Sequence, residues 1–580
     1  MKNIQTETRT IKEIFADRKT DFLIPDYQRP YSWTEDECQT LWNDFCDFAF
    51  PNGNADAFDK ERDEYFLGVI VTFGNDRELD EIIDGQQRLT TLLLFMRAFY
   101  KALGGDDGTY SKIIENLGEC IWKTDELGEL NKSSLKIVSE VIREDAKDEL
   151  QRILSTGAVT KADTSNYAAA YGFFQAAIHD LKKVIGEKTL QYLPARIMDK
   201  CFLTRIRAES QDFALQMFST LNDRGLPLSD TDIFKAIMYK FFTAAGKCFG
   251  EDFIRQWREL ERRAEKTFGK HHGLNVNPLE FLFTCYSYRE FSTASKKLRR
   301  AYERDNYAVL RRKEMPAELF GLMDFFDDLL EQNLLRFPIK AVRYAHILFR
   351  AKNSFIWLIM AHYYLCERDD RNHLDGEIFA EFLERLLAFL LAHAITCTST
   401  NALRGYAFRT LSQLKKPVPK GLKPYTFSAE VIRTEMNMFG VKRQKKLMMF
   451  LVLNWWTFRD ENQKLPPIER KFDIEHIFPK SLADSFENFH NKNSVNLLGN
   501  LALLEHGKNN NAASHHFADK RKVYLGFERN GKFQAGTLNR ELQQLAQTLS
   551  NFGETEIIKR NSQMIAEVLS FVDKHNFLQN

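Results

Sequence analysis

No two cysteines in this chain stand close enough to form a metal knuckle. The eight cysteines, Cys38, Cys46, Cys120, Cys201, Cys248, Cys285, Cys366 and Cys397, make no C-x-x-C pair. That argues against a zinc ribbon and against a disulfide framework, and it fits a reducing cytoplasm. An excess of one charge is missing too: 81 Lys and Arg balance 80 Asp and Glu, for a formal net charge of +1. Any contact with nucleic acid must therefore come from local basic patches rather than from the whole surface. The longest apolar run, Phe355 to Cys366, is interrupted by His362 and is too short to span a bilayer. The N-terminus, Met1-Lys2-Asn3-Ile4-Gln5-Thr6-Glu7, lacks the apolar core of a signal peptide. There is no repeat period and no low-complexity tail. The expectation is a cytoplasmic protein with no membrane partner.

Phenylalanine is abundant, with 48 residues in 580, which suggests aromatic helical packing. The length calls for two to four domains. Tyr65 to Phe73 is β-branched and aromatic and reads as a buried strand; Leu79 to Ile83 reads as a second, ending at Asp84-Gly85. Directly afterwards Leu89, Leu92, Leu93, Met96 and Tyr100 share one helical face. Beyond Lys235 the pattern is almost wholly helical, with a clear stripe at Phe379, Phe382, Leu383, Leu386, Leu387 and Leu390. The Pro/Lys-rich stretch 415–424 reads as a boundary, and Leu465-Pro466-Pro467 as a second break. These features predict a mostly α chain with two α/β parts: a mixed domain at 1–245, a helical middle at 246–425 and a mixed C-terminal domain at 426–580.

After the second break, Lys471-Phe472-Asp473-Ile474-Glu475-His476-Ile477 alternates polar and apolar residues like a strand and stops at Pro479. A second strand-like run, Asn496 to Leu504, follows, then Asn509-Asn510-Asn511 and a helix-like segment with Phe517, Lys520 and Tyr524. Two strands and a helix, with histidine on the first strand and amides after it, describe a ββα-metal site. Phosphodiester hydrolysis needs a deprotonated water and a metal that stabilises developing charge. A histidine titrating near neutrality can take the proton, and a carboxylate with an amide carbonyl suits Mg2+. His476 is the candidate base, Glu475 or Asp473 a candidate metal ligand, and Asn500 or Asn509 the amide partner. Lys442 to Lys446 and Lys520-Arg521-Lys522 are basic runs near enough to hold DNA. His506, His515 and His516 read as surface or DNA-facing residues.

Three N-terminal blocks carry a second chemistry. Asp84-Gly85-Gln86-Gln87-Arg88 opens a helix with free N–H groups, a cation and two amides, which makes an anion site. Ile24 to Trp33 concentrates aromatics, Gln and Arg in a proline-bounded arm, suited to a ligand that is part π-face and part anion. Phe218 to Ser229 reads as a turn, with Ser229 or Asp230 capping the helix that carries Asp232 and Lys235.

The pattern Glu475-His476-Ile477-Phe478-Pro479, then Leu498-Gly499-Asn500-Leu501-Ala502-Leu503-Leu504, Asn509 and Phe517-Ala518-Asp519-Lys520, resembles the nuclease domain of GmrSD-type restriction enzymes over roughly residues 440–530. The three N-terminal blocks are similar to the ParB-like domain of that family over about residues 15–240. The resemblance, which extends to BrxU-like and SspE-like relatives, implies a type IV, modification-dependent DNA endonuclease of bacteriophage defence with an HNH C-terminal domain. It places the base on His476, with Asn500 and Asn509 at its other motif positions and the metal, Mg2+ or another divalent ion, at Glu475, Asp473 and Asn500. It implies that Asp84, Gly85, Gln86, Gln87 and Arg88 bind and hydrolyse a nucleoside triphosphate (GTP, ATP or UTP). It implies further that Tyr27, Gln28, Arg29, Tyr31 and Trp33 sense modified double-stranded DNA, with Asn222, Arg224, Gly225, Asp232 and Lys235 in support. A homodimer is left open. The residues also admit a phosphorothioate-sensing nicking nuclease, a nucleotide-switched DNA-binding regulator with an inactive HNH domain, and a structural helical adaptor.

Overall fold

The β-branched run at 65–73 forms a strand, Tyr65–Gly74, inside a six-stranded mixed sheet. The computed structural model describes residues 5–579, apart from 19, 26, 75–78, 105–109, 126, 142–143, 161, 211–212, 215–228, 270–275, 291–297, 352, 397–425, 439–445, 483–490, 513–514 and 530. The chain divides into two units, Met1–Ile254 and Arg255–Asn580. Across the sheet of the first unit the order is Gln5–Thr10, Cys201–Ala208, Tyr65–Gly74, Asp80–Asp84, Phe22–Ile24 and Ile137–Ser139. Tyr65–Gly74 runs parallel to Cys201–Ala208 and antiparallel to Asp80–Asp84. Phe22–Ile24 lies parallel to both of its neighbours.

The strand Asp80–Asp84 passes through Gly85 into the helix Gln86–Ala102. Every residue from Gln86 to Tyr100 is buried except Arg88. A helix apolar nearly all round must be covered on all sides, and this one packs against the helices Asn166–Ile185 and Ser111–Ile121. Its start is thereby fixed at the end of a central strand. Ser229 caps the helix Asp230–Ala244 as its position in the sequence predicts: its Oγ accepts from the Asp232 N–H at 3.2 Å, while Asp232 Oδ2 accepts from the Ser229 N–H at 3.0 Å.

The second unit is built on aromatic helical packing. Phe268, Phe326, Phe349 and Trp357 form one stack, with ring centroids 4.3 to 6.1 Å apart. Helix Glu377–Thr396 buries the stripe of Phe379, Leu383, Leu386, Leu387 and Leu390. It packs against the helices Ile339–Arg350, Lys446–Phe458 and Glu554–Lys574. Among the described residues no helix is long and apolar enough to cross a membrane, and the seven described cysteines are free. The Pro/Lys-rich stretch 415–424, the basic run 442–445 and Asn222, Arg224 and Gly225 lie outside the described residues.

The C-terminal strands differ from expectation in one respect. The first, Phe472–His476, lies where the alternation places it, but the second is Leu501–Glu505. Residues 492–500 are instead wound into two short 3-10 turns, Lys492–Asn496 and Leu498–Asn500. The cause is local. Asn500 turns its side chain onto the main chain of the preceding segment. Gly499 sits so close to helix Glu554–Lys574 that a Cβ would collide with the backbone of Ile557 and Asn561. Asn509 lies within the helix His506–Ala512.

Candidate active site

The strands Phe472–His476 and Leu501–Glu505 pair antiparallel, with His476 opposite Leu501 and Asp473 opposite Leu504. The second strand runs directly into helix His506–Ala512, and helix Phe517–Leu525 follows. The two carboxylates of the first strand meet different partners on these helices.

Glu475 points inward. Its Oε1 accepts from Lys520 Nζ at 2.5 Å and from the Tyr524 hydroxyl at 3.3 Å. Lys520 also donates to the His476 carbonyl at 2.6 Å. Burial pushes the Glu475 carboxyl above its ordinary value and the Lys520 ammonium below its own, and their mutual contact opposes both shifts. The Lys520 side chain is 1% exposed, so the basic run at 520–522 does not present that lysine to DNA. Arg521 is spent on the Ala546 carbonyl, while Lys522 is exposed.

Asp473 faces the other helix. Its Oδ2 lies 2.7 Å from His506 Nδ1 and 3.4 Å from Asn509 Nδ2. The Asn509 Oδ1 is buried and has no hydrogen-bond partner among the described residues. A buried carbonyl oxygen left unpaired is costly. With the Asn509 amide turned over, that oxygen would face Asp473, and the two would offer a divalent ion such as Mg2+ the hard oxygen ligands that it accepts while keeping several waters. Glu475, held by Lys520 and Tyr524, does not offer a free carboxylate.

Asn500 is fully buried. Its Oδ1 accepts from the Phe478 N–H at 2.7 Å, and its Nδ2 donates to the Phe478 and Val495 carbonyls, both at 2.9 Å. This amide closes the loop that follows His476. The His476 ring is half-buried and hydrogen-bonds to no described residue. Burial first, then Lys480 and Lys520, hold its pKa below the ordinary 6.5, so it is neutral at pH 7 and able to accept a proton.

The turn carrying Asn500 is itself held. Arg560 Nη1 donates to the carbonyls of Gly499 at 2.9 Å and Leu501 at 2.8 Å, while its Nε and Nη2 grip Glu541, each at 2.8 Å. The sequence marks Lys520 as part of a family pattern and of a basic run, but not as the partner of Glu475, and it does not mark Arg560. The F-x-x-K spacing after the asparagines was the available signal for Lys520, and Arg560 left none.

In the first unit, Gly85 takes φ +93° and opens helix Gln86–Ala102 with no side-chain cap. A Cβ there would run into Ile70. Asp84 Oδ1 accepts from the Gly85 N–H at 2.7 Å, and burial raises its pKa against the pull of Arg88 and Arg29. Arg88 Nη1 donates to the Val69 carbonyl at 3.2 Å and lies over Gly68, where a side chain would crowd the guanidinium.

The two glutamines clamp the aromatic arm. Gln86 Nε2 reaches Gln28 Oε1 at 3.1 Å and the Arg29 carbonyl at 3.2 Å. Gln87 accepts from the Ser32 N–H at 2.7 Å and donates to the Pro30 carbonyl at 3.1 Å. Gln28 itself is buried against the Ile82 and Ile83 carbonyls. Tyr31 is buried, bonded to Thr91 at 2.7 Å and stacked on Tyr167, and burial lifts its pKa well above the phenol range. Tyr27 contacts Glu81 and Tyr239, and Trp33 packs on the core. Of the arm residues, Arg29 is half-buried, and its Nε has no hydrogen-bond partner among the described residues. Asp232 serves its helix cap, and Lys235 is buried. The structure brings the loop and the arm together, while Asn222, Arg224 and Gly225 fall outside the described residues.

Residues 11–239 match the N-terminal domain of the GmrSD restriction endonuclease, and residues 428–567 match the C-terminal domain of GmrSD restriction endonucleases. No curated protein matches the chain.

Proposed function

From a chain that carries both the N-terminal and the C-terminal domain of GmrSD restriction endonucleases, we propose a modification-dependent, nucleotide-regulated DNA endonuclease of type IV with an HNH-type site. The observation that carries the chemistry is the Asn509 amide, whose Nδ2 lies 3.4 Å from Asp473 Oδ2 and whose buried Oδ1 has no partner among the described residues. In this reading Asp473 and Asn509 hold a divalent ion, Mg2+ by the hardness of its ligands. When bound, that ion stabilises negative charge on the scissile phosphate. His476 takes the proton of the attacking water. Asn500 serves by closing the loop after His476, and the Lys520–Glu475 pair fixes the end of the strand.

At the other site, the uncapped start of helix Gln86–Ala102 supports a triphosphate reading, because its N–H groups and Arg88 both favour an anion. In this reading the arm, fastened to that loop by Gln86 and Gln87, senses a modified base or backbone when nucleotide binds. In this reading GTP, ATP or UTP fills the loop.

The deciding experiment compares cleavage of matched plain, glucosylated and phosphorothioated duplexes, with Mg2+ and with and without each triphosphate. The reading expects cleavage of one modified duplex, lost in His476→Ala while nucleotide turnover persists. Arg88→Ala should impair turnover. No cleavage of any duplex under any condition would overturn it in favour of a DNA-binding regulator.

A further inference from the structure

The first site strand begins at the end of a connector, 459–471, that leaves helix Lys446–Phe458 and contains the Pro466-Pro467 break. Connectors of this kind are ordinarily free to shift, since proline removes the N–H donors that would tie them down. This one is held by two arginines on helix Ile339–Arg350, seven residues apart and so on one helical face. Arg343 takes its first half, donating from Nη1 to the Phe458 carbonyl at 3.0 Å and the Gln463 carbonyl at 3.1 Å, and from Nη2 to the Glu461 carbonyl at 2.9 Å. Arg350 takes the second half, from Nη1 to the Arg470 carbonyl at 3.1 Å and from Nη2 to the Pro467 carbonyl at 3.0 Å.

Arg350 does more than hold a loop. Its guanidinium lies 4.9 Å from the ring centroid of Phe472, the first residue of the strand, and 5.4 Å from that of Phe458. Its third nitrogen, Nε, donates to His346 Nε2 at 2.9 Å. Lys471, between Arg470 and Phe472, has its own carbonyl occupied by the N–H of His506, at 3.2 Å, at the start of the helix that carries Asn509. The guanidinium therefore grips both sides of the residue that joins the Asp473 strand to the Asn509 helix.

We propose that Arg350 is a positioning residue of the nuclease site, setting the Asp473 carboxylate and the His476 ring through Pro467, Arg470 and Phe472. It touches neither substrate nor metal. This inference rests on the nuclease reading for its rate effect, but not for its structural effect. A carboxylate and a base misplaced by about 1 Å cost on the order of a hundredfold in rate. A lysine keeps the charge over Phe472 but loses the two-pronged grip on carbonyls that are not parallel acceptors.

The test uses the full-length chain with Arg350→Ala and Arg350→Lys. It measures kcat and KM on the cleaved duplex, the Mg2+ concentration for half-maximal rate, and hydrogen exchange over residues 467–476. Arg350→Ala should lower kcat by about tenfold to a hundredfold with KM for DNA within about twofold, raise the Mg2+ requirement, and speed exchange at Asp473 to His476. Arg350→Lys should fall between, and added guanidinium at low concentration should restore part of the rate of Arg350→Ala. Unchanged exchange at 472–476 overturns the proposal whether or not the wild-type chain cuts DNA. A rate loss equal to the fraction unfolded, with Mg2+ requirement unchanged, overturns it too. Faster exchange in a chain that cuts no duplex upholds the positioning and sinks the nuclease reading instead.

Discussion

Lys520 Nζ sits 2.5 Å from Glu475 Oε1 and 2.6 Å from the His476 carbonyl, so one buried ammonium fastens the end of the site strand by both side chain and backbone. The carboxylate next to the histidine is thus paired with a buried cation, and the proposed nuclease reading assigns the metal to Asp473 instead.

Removing one partner of that pair leaves a buried charge uncompensated. Lys520→Met should destabilise the second unit by about 3–5 kcal/mol, and adding Glu475→Gln should recover most of that loss. Thermal and urea unfolding of the full chain check this. A double variant no more stable than the single one would show that the pair is not the unit of stabilisation.

Metal affinity separates the two carboxylates. Asp473→Asn and Asn509→Ala should each raise the Mg2+ needed for half-maximal cleavage by at least about tenfold. Glu475→Gln should move unfolding more than the Mg2+ requirement. Titrating Mg2+ against cleavage rate distinguishes them, and a larger Mg2+ shift for Glu475→Gln than for Asp473→Asn would reverse the assignment.

The pH dependence follows from His476. Its pKa in the folded chain lies below the ordinary 6.5 because of burial, Lys480 and Lys520. A depressed value means that the folded state favours the neutral ring. Both the base and its contribution to stability are therefore present above pH 6.5 and lost as pH falls through the folded pKa. The acid limb of kcat/KM should have its midpoint below 6.5. Lys480→Gln, which removes an exposed cation from the ring's surroundings, should move that midpoint upward. A downward or absent shift would remove His476 as the titrating group.

In the first unit, Gln87 satisfies the Ser32 N–H and the Pro30 carbonyl from one amide. Gln87→Ala should cost about 1–3 kcal/mol through those unpaired groups and expose the arm at 28–33 to limited proteolysis. An arm as protease-resistant as before would mean that packing of Tyr31 and Trp33 holds it without the glutamine.

Much of this was legible in residue order. The strand at 472–476 declared itself by alternation and a proline stop, the helix cap by the Ser229-Asp230 pair that ends a turn, and the Gly85 turn by its place between strand and helix. What stayed hidden was set by partners far along the chain. Lys520 sits in a Lys-Arg-Lys run that reads as a DNA contact, whereas in the fold it is buried and paired with Glu475, 45 residues earlier. Asn500 reads as an open amide because local order says nothing of the Phe478 and Val495 main chain it satisfies. Gln86 and Gln87 read as ligand groups for the same reason, although their amides are occupied by the arm. Arg350 gave no sign at all, its acceptors lying 117 and 120 residues away.

Gly499 has no side chain because the last long helix, Glu554–Lys574, occupies the space where one would be. The strand-strand-helix motif is consequently not a portable cassette. Cutting it out at its sequence borders would strip Arg560 from the Asn500 turn and Arg350 from the entry to the Asp473 strand. Recombination that moves this site between proteins must carry everything from helix Ile339–Arg350 to the final helix as one inheritance.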